Sequence, residues 1–519
     1  MSHTVSQKEH VIDDIQIQED ITDSLPRNER PIKNKKKNSI NLTKKDITIF
    51  TYLAVALVSF FMRLIRINYS DSGYPVFDEK HYVSQAHQML FNGLIENNPG
   101  YGLVVHPPLG KFLISLGIQI FGYNPLGWRF TSIIAGVVVV LCTMFIAHKI
   151  TKSLSIGIIT AILINIEGVI FVMSRIGMLD SFLAAFIALI TVCLVMEFSE
   201  NRSDVPFYKH WWLLTAGILC GLTMSIKISG VYYAAFAGIF MVIFYAVKTK
   251  DVRRTMNSFG TGLIFFFVVP VSVFLLSFTK WFTNENSTYR HVIESSMDTA
   301  DFPNFLSHLP LSIQNFAYYQ LGVLKFHSGL KSDPATYHPW ESNSWQWSIA
   351  ERPMLFYSNS HGSNGTENIW LIGNLPLWWM FIPVILFSII RLCIKDLKWI
   401  IVLGGFITGY LPWLIMHERQ SYFFYVTPLA MFLILGIVFA IYDISKYLSS
   451  KNNKDIETMF ISISGAVVAI SLIFFIAYTP WYYGIGMPES YHDNMSLFDS
   501  WEPLEKTTTE ESDPSESSE

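Results

Sequence analysis

Apolar residues in this chain gather into runs that meet or approach the ~20 residues an α-helix needs to cross the hydrocarbon core of a bilayer. Eleven are read, with approximate bounds 47–66, 129–148, 154–173, 181–198, 211–226, 229–247, 257–279, 371–391, 399–416, 422–443 and 456–478. Only Lys227 divides the tract 211–247 into two of them. Two long intervals, 67–128 and 280–370, separate groups of runs. In the first, the apolar spacing from Phe112 to Phe121 predicts a short amphipathic helix lying on the membrane. The pattern predicts an all-α polytopic membrane protein.

Lysine and arginine near the ends of the runs orient the spans. The connections "HKITK", "SENRSDVPFYKH", "KTKDVRR", "RLCIKDLK" and "KYLSSKNNKD" each hold at least two basic residues and alternate along the chain. They fall on one side, with a cytosolic N-terminus, only if there are eleven spans. The intervals 67–128 and 280–370 and the C-terminus are then extracytoplasmic, in the cell membrane. The first run follows a polar tail and has no small-residue cleavage site, so it reads as a retained signal anchor. Three regions result: a disordered cytosolic tail (1–46), a membrane domain (47–486) and a largely disordered, acidic external tail (487–519).

Composition agrees. Of 519 residues, 51% are hydrophobic and 15% charged, where soluble domains carry roughly a quarter charged residues. A net charge of -4 argues against nucleic acid as a partner. Cys142, Cys193, Cys220 and Cys393 all lie in apolar runs, so neither a disulfide framework nor a zinc site is suggested.

Ionisable residues at membrane depth are costly and by default suggest function. On the outer side they are Asp78, Glu79, Lys111, Arg129, Arg175, Asp180, Lys227 and Arg419. The cations suit an anion, of which a lipid-linked phosphate is the natural one at that depth, and snorkelling to the headgroups competes with that reading. Adjacent carboxylates such as Asp78 and Glu79 supply a general base or a metal ligand; they equally serve as a charge pair at a helix N-terminus. His81, His87 and His106 lie near enough in sequence to join them, but no HExxH-like spacing is present. No cofactor is indicated, and a divalent cation stays open. Trp340, Trp345 and Trp347 are candidates for a sugar or peptide platform, against an interfacial belt, the reading favoured for Trp378 and Trp379.

At these residues the sequence resembles the protein O-mannosyltransferase family, in its compact bacterial branch, from about Thr48 to Gly486. "PVFDEKHYVSQAHQML" resembles the family's acidic first-loop motif, and "HPPLGK", "EGVIFVMSRIGMLDS", "SIKISG", "FHSGL", "HPWESNSWQWSIAERPMLFY" and "WYYGIG" follow in family order. The resemblance implies a GT-C glycosyltransferase with about eleven spans and an active site on the outer face. It implies transfer of mannose from a polyprenyl-phosphate-mannose donor to Ser or Thr of exported proteins, with the protein export machinery a candidate partner.

Carried over, Asp78 is the expected catalytic base and Glu79 its partner in positioning the acceptor. Arg175 and Lys227 match basic positions expected near the donor phosphate, with Arg129 and Arg419 as secondary candidates. His106, Lys111, Trp345, Trp347 and Arg352 belong to matching blocks as substrate-binding candidates. One direct displacement inverts the anomeric carbon, so a β-linked donor gives an α-linked product. Eukaryotic relatives insert a β-trefoil module in the second interval, and the loop here leaves little room for one beside its matching blocks, which favours the bacterial branch. The segment "ESYHDNMSLFDSWEP" and the entry "HERQSYFFYVTP" match the family loosely. Two rival readings are a GT-C enzyme acting on a glycolipid or cell-wall polymer and a transporter or lipid flippase. Against the latter, the chain shows no internal repeat, and its ionisable residues sit at the rim rather than at midplane.

Overall fold

The computed structural model describes residues 43–69, 73–96, 104–200, 209–249, 251–294, 303–333, 338–360, 362, 365–452 and 454–504. The chain divides into two units, 1–50 and 51–519. In the first, residues 44–50 form the opening turns of helix α1 (Lys44–Leu64), and Thr43 donates its N–H and hydroxyl to Asp46, which returns its own N–H to the Thr43 hydroxyl. Residues 1–42, nearly all of the expected cytosolic tail, lie outside the described residues.

In the second unit the first long interval holds α2 (Glu79–Phe91) and α3 (Leu109–Phe121). There follow α4 (Pro125–Thr151), α5 (Leu154–Asn165), α6 (Gly168–Met173), α7 (Leu179–Ser199), α8 (Trp211–Met224) and α9 (Gly230–Thr249). Then α10 (Val252–Leu263) continues through a π-helical turn, Ile264–Val268, into α11 (Val269–Ser277). The second interval contains α12 (Thr279–Thr283), α13 (Leu311–Gly329), α14 (Ser344–Trp347) and the antiparallel pair β1 (Met354–Asn359) and β2 (Glu367–Leu371), in register Met354 to Leu371. The chain closes with α15 (Leu375–Trp378), α16 (Phe381–Cys393), α17 (Trp399–Gly409), α18 (Leu411–Ile415), α19 (Thr427–Asn452), α20 (Ile456–Tyr483) and α21 (Glu489–Met495).

All eleven apolar runs are helical. Among the described residues, eight segments are long and apolar enough to cross a membrane, making this a multi-span membrane protein. The other three runs, represented by Leu154–Asn165, Trp211–Met224 and Trp399–Ile415, are shorter helices. The run 154–173 is broken because Glu167 leaves the helix and caps the next one, accepting from the N–H groups of Val169 and Ile170 at 3.0 and 2.8 Å. The π turn lies just before Pro270, whose ring opposes an ordinary α-helical bond to the carbonyl four residues back.

α19 is the centre of the bundle, buried without a break from Thr427 to Phe439. A helix apolar all round belongs inside, whereas α1 and α20 bury one stripe and turn residues such as Leu57 and Ile473 outward. α3 forms where the spacing predicts a helix: Gly110, Ile114, Gly117 and Ile118 face inward with Lys111 and Ser115, while the apolar Ile120 and Phe121 are exposed. Gly117 lets it meet α4 closely, since a Cβ there would stand 2.2 Å from the Gly127 carbonyl oxygen.

The region after 486 differs from expectation. Residues 487–504, read as part of a disordered tail, fold as α21 and a 3-10 turn at Asp499–Trp501. The cause is aromatic anchoring: Trp501 is buried and donates to the Glu351 carbonyl at 2.8 Å, and Tyr491 donates to that of Ala477 at 2.6 Å. Residues 505–519 lie outside the described residues.

Candidate active site

Asp78 occupies the N-cap position of α2, yet its carboxylate makes no capping bond. Both carboxylates, Asp78 and Glu79, thus stand at the α2 N-terminus, where the charge-pair reading puts them, but the Asp78 side chain satisfies no N–H there. It lines a cavity of about 730 Å³ instead, together with His81 and Tyr82 of α2. His106, Asp180 in the first turn of α7, Lys227 between α8 and α9, His327 of α13 and Arg419, Tyr422 and Tyr425 before α19 line the same cavity. With Glu418 and Lys331, segments distant in sequence thus bring three carboxylates and three cations to one volume.

The Lys227 ammonium donates to both Asp180 oxygens, at 2.9 and 2.8 Å, and lies 5.3 and 5.6 Å from the ring centres of Phe424 and Tyr425. The α7 N-terminus favours the Asp180 charge. Arg419 donates to the His327 carbonyl at 3.0 Å and lies 5.5 Å from the Trp413 ring centre, while its buried Nε has no hydrogen-bond partner among the described residues. The Tyr82 hydroxyl is 3.5 Å from Asp78 Oδ2, the outer limit of a hydrogen bond. Burial raises the Asp78 pKa, against the opposing pull of Lys227 and His81. Burial lowers His106 well below the usual imidazole value, and nearby Lys227 and His327 add to that.

The remaining sequence candidates are engaged elsewhere. Glu79 faces the protein interior, bound by Arg129 Nε and Nη2 at 2.8 and 2.7 Å and by the N–H groups of Gly177 and Val76 at 2.6 and 2.9 Å. Arg129 also donates to the Ile67 carbonyl and stacks on Tyr69. Arg175 closes the end of α1, donating to the carbonyls of Arg63, Ile65 and Arg66 at 2.8, 2.7 and 3.2 Å. Lys111 is buried between Glu96 and the His106 carbonyl, so it holds the histidine loop. Arg352 gathers the carbonyls of Pro339, Glu341, Ser500 and Glu502. Trp347 is buried with its indole N–H on Ser342, and Trp345 is exposed. None of these lines the cavity.

His327, Tyr82, Tyr422 and Tyr425 are cavity residues that no role was assigned from sequence. The signals available were the blocks "FHSGL" and "HERQSYFFYVTP", whose histidine and tyrosines sit among apolar neighbours. A second cavity of about 440 Å³, walled by apolar residues of α9 and α10–α11, shares Val231 with the first. Among the described residues no cluster of three or more His, Cys, Asp or Glu is arranged to hold a metal ion.

Residues 124–284 match the family model described as dolichyl-phosphate-mannose-protein mannosyltransferase, and residues 312–501 match the C-terminal four TMM region of protein-O-mannosyltransferase. The chain is 34% identical over 491 residues to the polyprenol-phosphate-mannose--protein mannosyltransferase of Corynebacterium glutamicum, covering 87% of this chain and 93% of that one. The enzyme of the same name from Mycolicibacterium smegmatis is 35% identical over 405 residues, covering 72% of this chain and 78% of the relative. In fold it is similar to the S. cerevisiae protein O-mannosyltransferase complex bound to the sugar donor, with a TM-score of 0.70, 15% identity and coverage of 89% and 93% of the two chains. The architecture is therefore GT-C.

Proposed function

We propose that this chain, which belongs to the protein O-mannosyltransferase family, transfers mannose from a polyprenyl-phosphate-mannose lipid to Ser or Thr hydroxyls of proteins. The observation that carries the reading is the shared cavity, which Asp78 and Lys227 both line. A base and a cation in one volume are what a displacement at a sugar phosphate requires.

Asp78, as carboxylate, takes the proton of the acceptor hydroxyl as its oxygen attacks the anomeric carbon. The new O–C bond forms while the bond from that carbon to the phosphate oxygen breaks, and the electron pair leaves with the phosphate. Lys227 and Arg419 offset the charge growing there. The displacement is single and inverts the anomeric centre. Asp180 keeps Lys227 at the cavity wall until the phosphate shares it. Neutral His106 and His327 offer hydrogen bonds to sugar hydroxyls without adding charge. The apolar cavity that meets the first at Val231 suits the isoprenoid chain of the donor. Glu79, Arg129, Arg175, Lys111 and Arg352 act by holding the loops that carry these groups.

The distribution of Lys and Arg supports a cytosolic N-terminus, an external C-terminus and a cavity on the outer side of the cell membrane. There the acceptors are exported proteins, handed over by the export machinery. The test is transfer of labelled mannose from a β-linked polyprenyl-phosphate donor to a Ser/Thr-rich peptide by the purified protein, followed by α-mannosidase. Labelled peptide that α-mannosidase strips supports the reading; label confined to lipid or polymer overturns the acceptor, and α-mannosidase resistance overturns the inversion.

A further inference from the structure

Seven non-glycine residues among those described have positive φ. Arg66, Leu94, Lys152, Ala350 and Lys395 each stand just past the end of a helix, where a left-handed residue is an ordinary way to close it. Of the remaining two, Tyr289 lies in the loop after α12, whereas Phe77, at φ 46°, enters a helix, two residues before α2 begins, and directly precedes Asp78. A bulky side chain in that region is strained and persists only when its surroundings over-determine it.

The surroundings do so. The Phe77 ring is held by three others from three separate segments: Phe356 of β1 at 5.2 Å, Phe424 before α19 at 6.0 Å and His338 of the second interval at 6.0 Å between ring centres. The walls brace one another, since Phe356 lies 6.5 Å from Phe424, and His338 lies 5.1 Å from Tyr422. Glycine at 77 would reach the same φ without strain. What a glycine cannot supply is the ring.

We infer that Phe77 is a positioning residue: its caged ring locks the left-handed turn that aims Asp78 into the cavity and screens the carboxyl from water. The inference rests on the reading of Asp78 as the base. The same cage ties the base to the second interval, because His338 and Phe356 both belong to it. The charged and titratable groups acting on Asp78 are Lys227 from the α8–α9 turn, His81 and Tyr82 of α2 and Asp180 of α7. None of these belongs to the cage, whose titratable ring is the half-buried His338, and Tyr422 behind it also faces Asp78, so removing the Phe77 ring alters the solvation of Asp78 rather than its charged neighbours.

The experiment compares wild type with Phe77→Gly, Phe77→Leu and Phe356→Leu, the last of which opens one wall without touching the backbone at 77. Two quantities are read: kcat and KM for the lipid donor across pH, and the Asp78 carboxyl titration by infrared difference spectra against Asp78→Asn. In Phe77→Gly we expect kcat to fall at least about tenfold with KM within about twofold, and the Asp78 titration to move down toward the ordinary carboxylate range near 4. Phe77→Leu and Phe356→Leu should fall between it and wild type. An unmoved Asp78 titration in folded Phe77→Gly, or a wild-type kcat in it, overturns the inference. If wild type itself transfers no mannose to peptide, the proposed function fails separately, and the infrared titration alone decides the role of Phe77.

Discussion

Glu79 and Arg129 meet at two points, 2.8 and 2.7 Å, with both side chains fully buried, while Asp78, one residue earlier, lines the cavity. Neighbouring residues at a helix start diverge by about 100°. The paired carboxylates of the first interval therefore face different ways: one fastens α2 to α4, and the other faces the cavity.

Removing one partner of a buried pair leaves the other charge uncompensated, at about 3–5 kcal/mol. Glu79→Gln and Arg129→Met should each lower unfolding stability in detergent by that order, and the double variant should lose less than their sum. Glu79→Gln with wild-type stability and no turnover would instead put Glu79 in the chemistry.

Asp78 should show the opposite balance. Its folded pKa is raised by burial, so between the ordinary carboxylate value and that raised value the native state binds more protons than the unfolded chain. Stability contributed by this group is full below the unfolded pKa and is lost as pH rises through the folded one. At neutral pH Asp78→Asn should unfold at or above the wild-type temperature. A drop of several degrees would give Asp78 a structural role.

The spans were legible because lipid demands it: backbone polar groups must be satisfied within helices, and the side chains around them must be apolar. The charges were legible only as charges. Sequence shows that Arg175 sits where a cation is costly and that Arg352 lies in a family-like block, but not that backbone carbonyls from remote segments hold both guanidinium groups. Lys227, with apolar sequence on both sides, lines the cavity, as do Asp78, His106 and Arg419. His327, inside the block "FHSGL", was given no role because its partners are remote: its imidazole reaches the Val105 carbonyl, 222 residues away in sequence. The fold of 487–504 was masked by acidic composition, although Tyr491 and Trp501 were visible in it.

With Asp78 as the proposed base, its raised pKa also sets the pH dependence of activity. As the base must be ionised, kcat/KM should climb with pH through a limb above the ordinary carboxylate range near 4. His106 and His327, both held below the usual imidazole value by burial, should add no limb near 6.5. Profiles of wild type and His106→Asn check this; a limb near 6.5 that His106→Asn removes would make the histidine the titrating group.

Lys227→Ala should raise KM for the lipid donor at least about tenfold, equivalent to ~1.4 kcal/mol, with KM for the peptide unchanged. Initial rates with each substrate varied in turn separate the two. Equal changes in both, or in neither, would return the lysine to a purely structural pairing with Asp180.

A chain ending at residue 504 should match the full chain in stability and turnover. One ending at residue 486 removes two of the four carbonyls that Arg352 holds, those of Ser500 and Glu502. Each buried donor so orphaned costs about 1–3 kcal/mol. Thermal unfolding of the two truncations distinguishes them, and equal stability would make 487–504 dispensable.

The measurement closest to the central claim is mannose transfer from the polyprenyl-phosphate donor to a Ser/Thr peptide by wild type and Asp78→Asn, at matched amounts of folded protein. Transfer by wild type with a loss of at least about a hundredfold in Asp78→Asn is the predicted result. Turnover by Asp78→Asn within about twofold of wild type would contradict it.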